Sequence, residues 1–508
     1  MELYSSNEHY KLYQGNMLDM LSVLTPNSID SIVTDPPYEL NFMGKGWDNT
    51  GIAFQPDTWK RCFDVLKPGG YLLAFGGSRT YHRIACAIED AGFEIRDTIM
   101  WLYGSGFPKS MNIGKAIESK LVNGSANTKD WKTLDGEKVE SGNWGMNKLG
   151  FEHGYRERSY DEDKHLRVDK VNYTTEEAKR WDGWGSCLKP AYEPIIVARK
   201  PCDGSTTDNV LKWGVGGINI DECRVGTDVI GGGTMPDFRD VGKKSKEAMG
   251  IDKLSFGQVE NAERKEYEEH VGRFPANLIL TYDDTDFDEV CGGFPNSKGT
   301  VRQPTGNKIL DPDSGWNNNS MIDKTVRGFD DEGSASRYFY CAKASKRDRD
   351  EGLDGFEEKS TGELQGGRQD GSAGSVMVDD VHHKGRTNPI NPYSGAGGVK
   401  RNTHPTVKPT SLLCYLIRLV TPNGGTVLDP FNGSGSTGKA VMYENKDNNK
   451  DYKYIGIELT PEYLPISKAR IEFVCNGGIK LDNENKNGII DNVKTTTNKG
   501  RQYAFTWR

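Results

Sequence analysis

Apolar and polar positions alternate in short, regular blocks at both ends of the chain and lose that order between them. Lys11-Leu12-Tyr13-Gln14 reads as a strand and Met17 to Leu24 as a helical turn. Ser28-Ile29-Asp30-Ser31-Ile32-Val33-Thr34 reads as a second strand, stopped at Asp35-Pro36-Pro37 because proline cannot donate to a ladder. Gly69-Gly70 opens the apolar run Tyr71-Leu72-Leu73-Ala74-Phe75, and Tyr81, Ile84, Ile88 and Ala91 then recur on one helical face. Thr98 to Tyr103 supplies another strand. Near the other end, Leu412, Leu416 and Leu419 share a helical face, with Thr410 or Ser411 as its N-cap. Thr426 to Asp429 and Tyr454 to Glu458 read as strands around a Gly-rich turn and a helix. A last helix is expected from Thr460-Pro461, although Pro465 sits deep for it and argues for a later start. Strand alternating with helix predicts an α/β fold, a mostly parallel sheet with helices on both faces.

The span from 105 to about 400 is rich in Gly, Asn, Asp, Lys and Ser, and few of its segments show clean periodicity; one exception is Glu193 to Arg199, a credible strand. Ser360 to Gly398 reads as long loops or partial disorder. The expected division is therefore 1–104, an inserted region 105–400, a second ordered part 401–475, and a tail 476–508.

Composition modifies this picture in three ways. At 508 residues the chain has room for roughly two to four domains. It is only 35% apolar, with Gly at 60 positions, and nowhere approaches the roughly 18 unbroken apolar residues of a membrane span. The net charge of −8 is uneven: −5 over 1–104, +6 over 400–508 and −9 in between, so any contact with nucleic acid must rely on local basic patches. The first residues show no secretory signal, and nine scattered Cys without a CxxC pair fit a reducing cytosol. A cytoplasmic protein is expected.

Asp35-Pro36-Pro37-Tyr38 lies at the carboxyl end of a predicted strand, where open α/β sheets gather ligands. The two prolines stiffen the turn and set the Pro36 carbonyl beside the Asp35 carboxylate, two fixed acceptors for both hydrogens of an exocyclic amine. Holding those hydrogens out of plane localises the nitrogen lone pair, and Asp35 stabilises the positive charge that develops. Tyr38 can stack on a base flipped out of a duplex. The same four residues also suit a strand-ending turn with a surface Tyr.

Asp429-Pro430-Phe431-Asn432-Gly433-Ser434-Gly435-Ser436-Thr437-Gly438 places G-x-G-x-x-G after a strand and before a helix. Glu458 ends the next strand, where a carboxylate can bind ribose hydroxyls. A nicotinamide-binding loop would look alike, but Asp429 and Phe431 at the loop mouth suit a cationic, adenine-bearing cofactor such as S-adenosylmethionine better than a pyrophosphate. His404-Pro405-Thr406-Val407-Lys408-Pro409 reads as a rigid polar loop, and no Cys or His near His404 has metal spacing, so no metal is expected. Trp181-Asp182-Gly183-Trp184-Gly185 and Trp213 read as ordinary core in preference to stacking on displaced bases. The basic clusters Lys343 to Arg349 and Lys384 to Arg386 read first as solvated faces and second as phosphate contacts.

Together these motifs resemble the S-adenosylmethionine-dependent DNA amino-methyltransferases, specifically the circularly permuted β group of bacteria and their phages. In that group the Asp-Pro-Pro-Tyr motif precedes the cofactor loop, as here. The resemblance extends to Ser28–Thr34, to Leu66-Lys67-Pro68-Gly69-Gly70 and to Tyr192–Lys200. It implies the class I methyltransferase fold, Rossmann-like and circularly permuted, with the target-recognition region in the inserted middle. It implies that Asp35, Pro36, Pro37 and Tyr38 handle the target base. Asp429, Pro430, Phe431, Gly433, Ser434, Gly435 and Glu458 would surround S-adenosylmethionine, with Thr406 and Lys408 near its methionine end. Asn16 stands where relatives often carry Asp near the cofactor adenine.

The implied reaction is site-specific methylation of adenine N6 in DNA, without a covalent enzyme intermediate. Cytosine-N4 methylation is the nearest alternative, and Ser is commoner at position 35 in that branch. RNA or protein-glutamine methylation, an NAD-dependent oxidoreductase and a non-catalytic DNA-binding module are more distant. DNA is the expected partner, and a homodimer and a cognate restriction endonuclease are left open.

Overall fold

The computed structural model describes residues 2–40, 46–103, 110–124, 173–231, 269–282, 339–343, 346–359 and 401–478, together with short segments at 234–236, 264–266, 294, 296–298, 332–334, 376–378 and 381–383. Most of Ser360 to Gly398, the Lys384 to Arg386 cluster and nearly all of the 476–508 tail lie outside the described residues.

Ten strands form the main sheet: β1 (Glu2–Ser6), β2 (Tyr10–Gln14), β3 (Ile29–Thr34), β4 (Leu66–Phe75), β5 (Glu94–Tyr103), β6 (Tyr192–Arg199), β7 (Leu278–Tyr282), β8 (Tyr340–Lys343), β9 (Thr426–Asp429) and β10 (Lys453–Glu458). Their spatial order is β1-β2-β10-β9-β3-β4-β6-β5-β7-β8. From β2 through β4 every neighbouring pair is parallel. β6 runs antiparallel to both β4 and β5. The two strands formed by the end of the chain, β9 and β10, thus sit between β2 and β3, formed by its beginning. This is the mostly parallel α/β sheet expected of the class I methyltransferase fold.

The helices are α1 (Met17–Leu21), α2 (Pro56–Val65), α3 (Tyr81–Asp90), α4 (Ile113–Asn123), α5 (Glu176–Arg180), α6 (Thr206–Trp213), α7 (Lys346–Asp350), α8 (Thr410–Val420), α9 (Ser436–Asp447) and α10 (Leu464–Cys475). Every residue of β3 is buried, because helices cover both faces. On one face Ile32, Leu72, Ala74 and Leu428 pack with Met17 and Met20 of α1, Trp59 and Cys62 of α2, and Ile84 and Ile88 of α3. α8 lies against β3 and β4, and α9 against β9 and β10. Each fully buried aliphatic side chain in these layers contributes about 1.5–3 kcal/mol.

One helix end differs from expectation, the start of α8, and the last helix starts later, as Pro465 argued. Neither Thr410 nor Ser411 caps α8: Pro409 holds the cap position without a side-chain bond, and the Asp348 carboxylate takes the Thr410 backbone N–H at 2.7 Å. The last helix begins with a single 3-10 turn, Pro461–Tyr463, and α10 proper starts at Leu464, which puts Pro465 in its first turn, where no amide is needed.

Chain contacts divide the protein into two compact units. The first comprises Met1–Asn219, Asn277–Gly293 and Ala342–Ile479, so it draws in parts of 105–400 beyond the β6 strand. The second comprises Ile220–Ala276, Phe294–Cys341 and Lys480–Arg508. Within it Val225–Gly231 pairs antiparallel with Glu269–Arg273, and Thr234–Pro236 with Arg264–Glu266.

Candidate functional site

Parallel pairing brings the carboxyl ends of four strands side by side. Gln14 pairs with Glu458, Gly456 with Asp429, and Ile32 with Leu428, so the residues that leave β2, β10, β9 and β3 emerge along one edge of the sheet. β6, being antiparallel, delivers its amino end there: Ile195 pairs with Phe75 at the end of β4. A cavity of about 1470 Å³ opens on this edge, lined by Asn16, Asp35 to Tyr38, Glu193, Thr406, Lys408, Asp429 to Ser434 and Glu458. Every sequence-predicted site residue except Gly435 lines it.

On the β3 side, Asp35 Oδ2 accepts from Lys408 Nζ at 2.7 Å, while Asp35 Oδ1 is buried with no hydrogen-bond partner. Lys408 also stands 3.5 Å from Glu193 Oε2, and its side chain is only 8% exposed. Burial works against its charge, but the two carboxylates outweigh that and hold the ammonium above the ordinary lysine range. The Tyr38 hydroxyl donates to Glu193 Oε2 at 2.7 Å. Burial, then the Asp35 and Glu193 charges, push that phenol well above its usual range, so it stays a donor. Lys408, which the resemblance puts near a cofactor's methionine end, lines the cavity and is bonded there to the Asp35 carboxylate. Glu193 was missed as a site residue, although its strand was read: only the antiparallel direction of β6 carries it to this edge.

On the β9 side, Asp429 Oδ1 accepts from Thr34 Oγ1 at 2.7 Å and from the Phe431 amide at 3.1 Å. Burial raises its pKa to about 6, against the opposing pull of Thr34, Thr437 and the Phe431 amide. Glu458 Oε2 accepts from the Gly433 amide at 2.6 Å and Oε1 from the Thr460 amide at 2.8 Å, which clamps the Gly-rich loop to the end of β10. Burial raises this carboxyl as well. Phe431 stacks obliquely on Trp59, with ring centroids 6.4 Å apart. Asn16 caps α1 by accepting from the Leu18 amide at 2.9 Å.

The loop's glycines divide the work. Gly433 has φ +53°, and a Cβ there would stand 2.9 Å from His404 Nε2. Gly435 has φ +74°, and a Cβ there would meet Ser467 Oγ at 2.3 Å, so its bareness admits α10 and does not serve the cavity. Behind the loop, the fully buried Arg470 donates to the Ser434 carbonyl at 2.7 Å and to Ser434 Oγ at 2.9 Å. His404 lies edge-on to Tyr463 at 4.6 Å, and burial lowers its pKa to about 4.

A buried strap holds this half together. Lys439, with no exposed side-chain surface, reaches Asp348 Oδ1 at 2.7 Å and Glu351 Oε2 at 2.8 Å. Arg349, read as part of a basic cluster, donates instead to the His404 carbonyl. The core reading of the tryptophans is also corrected: Trp181 is 38% and Trp184 59% exposed, packed against each other edge to face. Trp213 is half-buried, its indole N–H directed at Asp203 Oδ2. Among the described residues no group of three or more His, Cys, Asp or Glu is arranged to hold a metal ion, and no helix is long and apolar enough to cross a membrane.

A family profile described as DNA methylase matches residues 29–282 and 300–469. The type II methyltransferase M.HpaI of Haemophilus parainfluenzae is 33% identical over 20% of this chain and 34% of its own length. The type II methyltransferase M2.LlaDCHI of Lactococcus lactis subsp. cremoris is 22% identical over 47% of this chain and 90% of its own. The chain thus covers about a third of M.HpaI. The solved M1.HpyAVI–SAM complex is 14% identical over 91% of this chain and 99% of that one, at a TM-score of 0.30.

Proposed function

Since this chain belongs to the DNA methylase family, we propose that it is a site-specific DNA methyltransferase acting on adenine N6. The observation that carries this reading is the state of Asp35: one oxygen is fixed by Lys408 and the other is buried, without a partner and in the cavity. Such an oxygen suits an incoming N–H donor, because a buried acceptor left unpaired costs about 1–3 kcal/mol.

The opposite wall fits S-adenosylmethionine. Gly433 lets the loop backbone pass close to His404 at the cavity wall, where a Cβ would collide, Glu458 lines the same wall, and Asp429 and Phe431 offer an anion and a ring. That group supplies the methyl when bound. Asp35 and the Pro36 carbonyl would hold the amine's hydrogens, Tyr38 would pack on the base, and alignment of the two would supply much of the rate. An aspartate at position 35 supports adenine over cytosine. The insertion of β9 and β10 between β2 and β3 supports the circularly permuted β group. The span between the two ends is proposed to read the DNA sequence.

Expression in a host free of DNA methylation, followed by base-resolved modification sequencing, tests this. N6-methyladenine in one sequence context is expected. N4-methylcytosine would overturn the adenine assignment, and unmodified DNA the DNA reading itself.

A further inference from the structure

We propose that Glu193 is the charge-balancing residue of this site, keeping the cluster of Asp35, Lys408 and Glu193 at one net negative charge while the target nitrogen becomes cationic. The inference rests on the amino-methylation reading given above. Its starting point is a conflict in the geometry. Asp35 is placed to attract developing positive charge, yet a lysine ammonium lies 2.7 Å from it with its side chain only 8% exposed. In so dry a setting a carboxylate and an ammonium at contact cancel when viewed from a few ångströms away, so Asp35 with Lys408 alone would offer the amine little more than a dipole.

Glu193 removes the conflict. β6 brings it in from the antiparallel side, and its Oε2 takes the Tyr38 hydroxyl at 2.7 Å and stands 3.5 Å from the same ammonium. Lys408 is therefore shared between two carboxylates, and the free Asp35 oxygen keeps its attraction for a cation. In the step itself, the amine lone pair forms the new N–C bond. The methyl–sulfur bond breaks with its electrons going to sulfur, and the nitrogen carries the positive charge until it releases a proton to solvent. A net negative cluster favours that cationic stage over the neutral amine, which is the differential stabilisation that speeds a reaction. Glu193 also fixes Tyr38, so it acts through charge and position without touching the reacting atoms.

The test compares the full-length parent, Glu193→Gln and the double variant Glu193→Gln/Lys408→Met. Glutamine keeps an acceptor for Tyr38 and removes only the charge, and methionine replaces the cation at similar length. Single-turnover methyl transfer onto the DNA site found by modification sequencing should fall about 10²-fold in Glu193→Gln, with DNA affinity within about twofold of the parent. The double variant, with its net negative charge restored, should be faster than Glu193→Gln. A second readout needs no turnover: in equilibrium titration, preference for the sulfonium cofactor over its neutral thioether product should shrink in Glu193→Gln and return in the double variant. Parental rate in Glu193→Gln, or a double variant no faster than the single one, overturns the charge-balancing role. A parent that methylates no DNA overturns the amino-methylation reading instead, and this role with it.

Discussion

Thr34 donates its hydroxyl to Asp429 at 2.7 Å across 395 positions of sequence, joining the ends of β3 and β9 where the two motif-bearing loops begin. The bond is buried, and Asp429 is only 2% exposed. Its carboxyl binds a proton more tightly in the folded state, near pH 6, than at the ordinary 3.8. It therefore costs the native state nothing below about pH 4, and the native state loses stability as the pH rises through about 6. Asp429→Asn keeps an acceptor for Thr34 and removes that loss. The variant should gain on the parent as the pH rises from about 4 to above 6, by up to about 3 kcal/mol. His404, held down near 4, works in the opposite sense, favouring the native state as the pH rises towards 6.5, and it cancels in the difference between the two proteins. Urea titrations of both, at matched pH values and without cofactor, measure the effect.

Asp35→Ala removes the buried free acceptor and leaves Lys408 facing Glu193 alone. Turnover should fall about 10²–10³-fold with little change in DNA affinity, because the lost interaction forms mainly as charge develops. Transfer of a labelled methyl group onto duplex DNA measures it, and wild-type turnover would remove Asp35 from the chemistry.

The two loop glycines should respond differently to alanine. Both pay for a positive φ, about 1–2 kcal/mol each. Gly433→Ala also pushes a methyl toward His404 at the cavity wall, so cofactor affinity should drop more than thermal stability. Gly435→Ala forces Ser467 and α10 aside, so thermal stability should drop more than affinity. Calorimetric titration and thermal melts of the two variants separate these outcomes.

Trp59 is completely buried and donates its indole N–H to the Ala53 carbonyl at 2.9 Å, whereas Trp184 is 59% exposed. Trp59→Ala should cost about 3–5 kcal/mol. Trp184→Ala should cost about 1 kcal/mol, mostly its contact with Trp181. Thermal melts of both variants check the contrast.

Seven of the ten sheet strands and the helices α1, α3, α8, α9 and α10 were legible because apolar spacing records which side of an element is covered, whereas β1, β7, β8 and α2 were not read from the sequence. The cavity was legible on both walls because Asp35 to Tyr38 and Asp429 to Ser434 are contiguous runs whose local stiffness and bareness are written in the residues. What escaped were properties of pairing between distant segments. The direction of β6, which decides where Glu193 goes, leaves no trace in its own apolar run. The role of Asp348 as cap of α8 was hidden because the cap lies 62 positions away from Thr410, outside any local motif. Trp181 and Trp184 were read as core, whereas both lie exposed on either side of Gly183, whose φ is +77°.

The position of β9 also bears on how the molecule comes into being. Ser31 and Ile32 of β3 pair with Val427 and Leu428, residues that leave the ribosome only after most of the chain has been made. β2 waits equally long for β10. Until then both early strands carry an open edge, the kind of surface that pairs with a neighbouring chain. Sequential folding during synthesis can finish the β4–β6–β5 side first, but closing the centre of the sheet is a late, long-range event, slow and exposed to aggregation. Yield of soluble protein should therefore depend on translation speed and chaperone supply more steeply than it would for a chain whose central strands were adjacent in sequence.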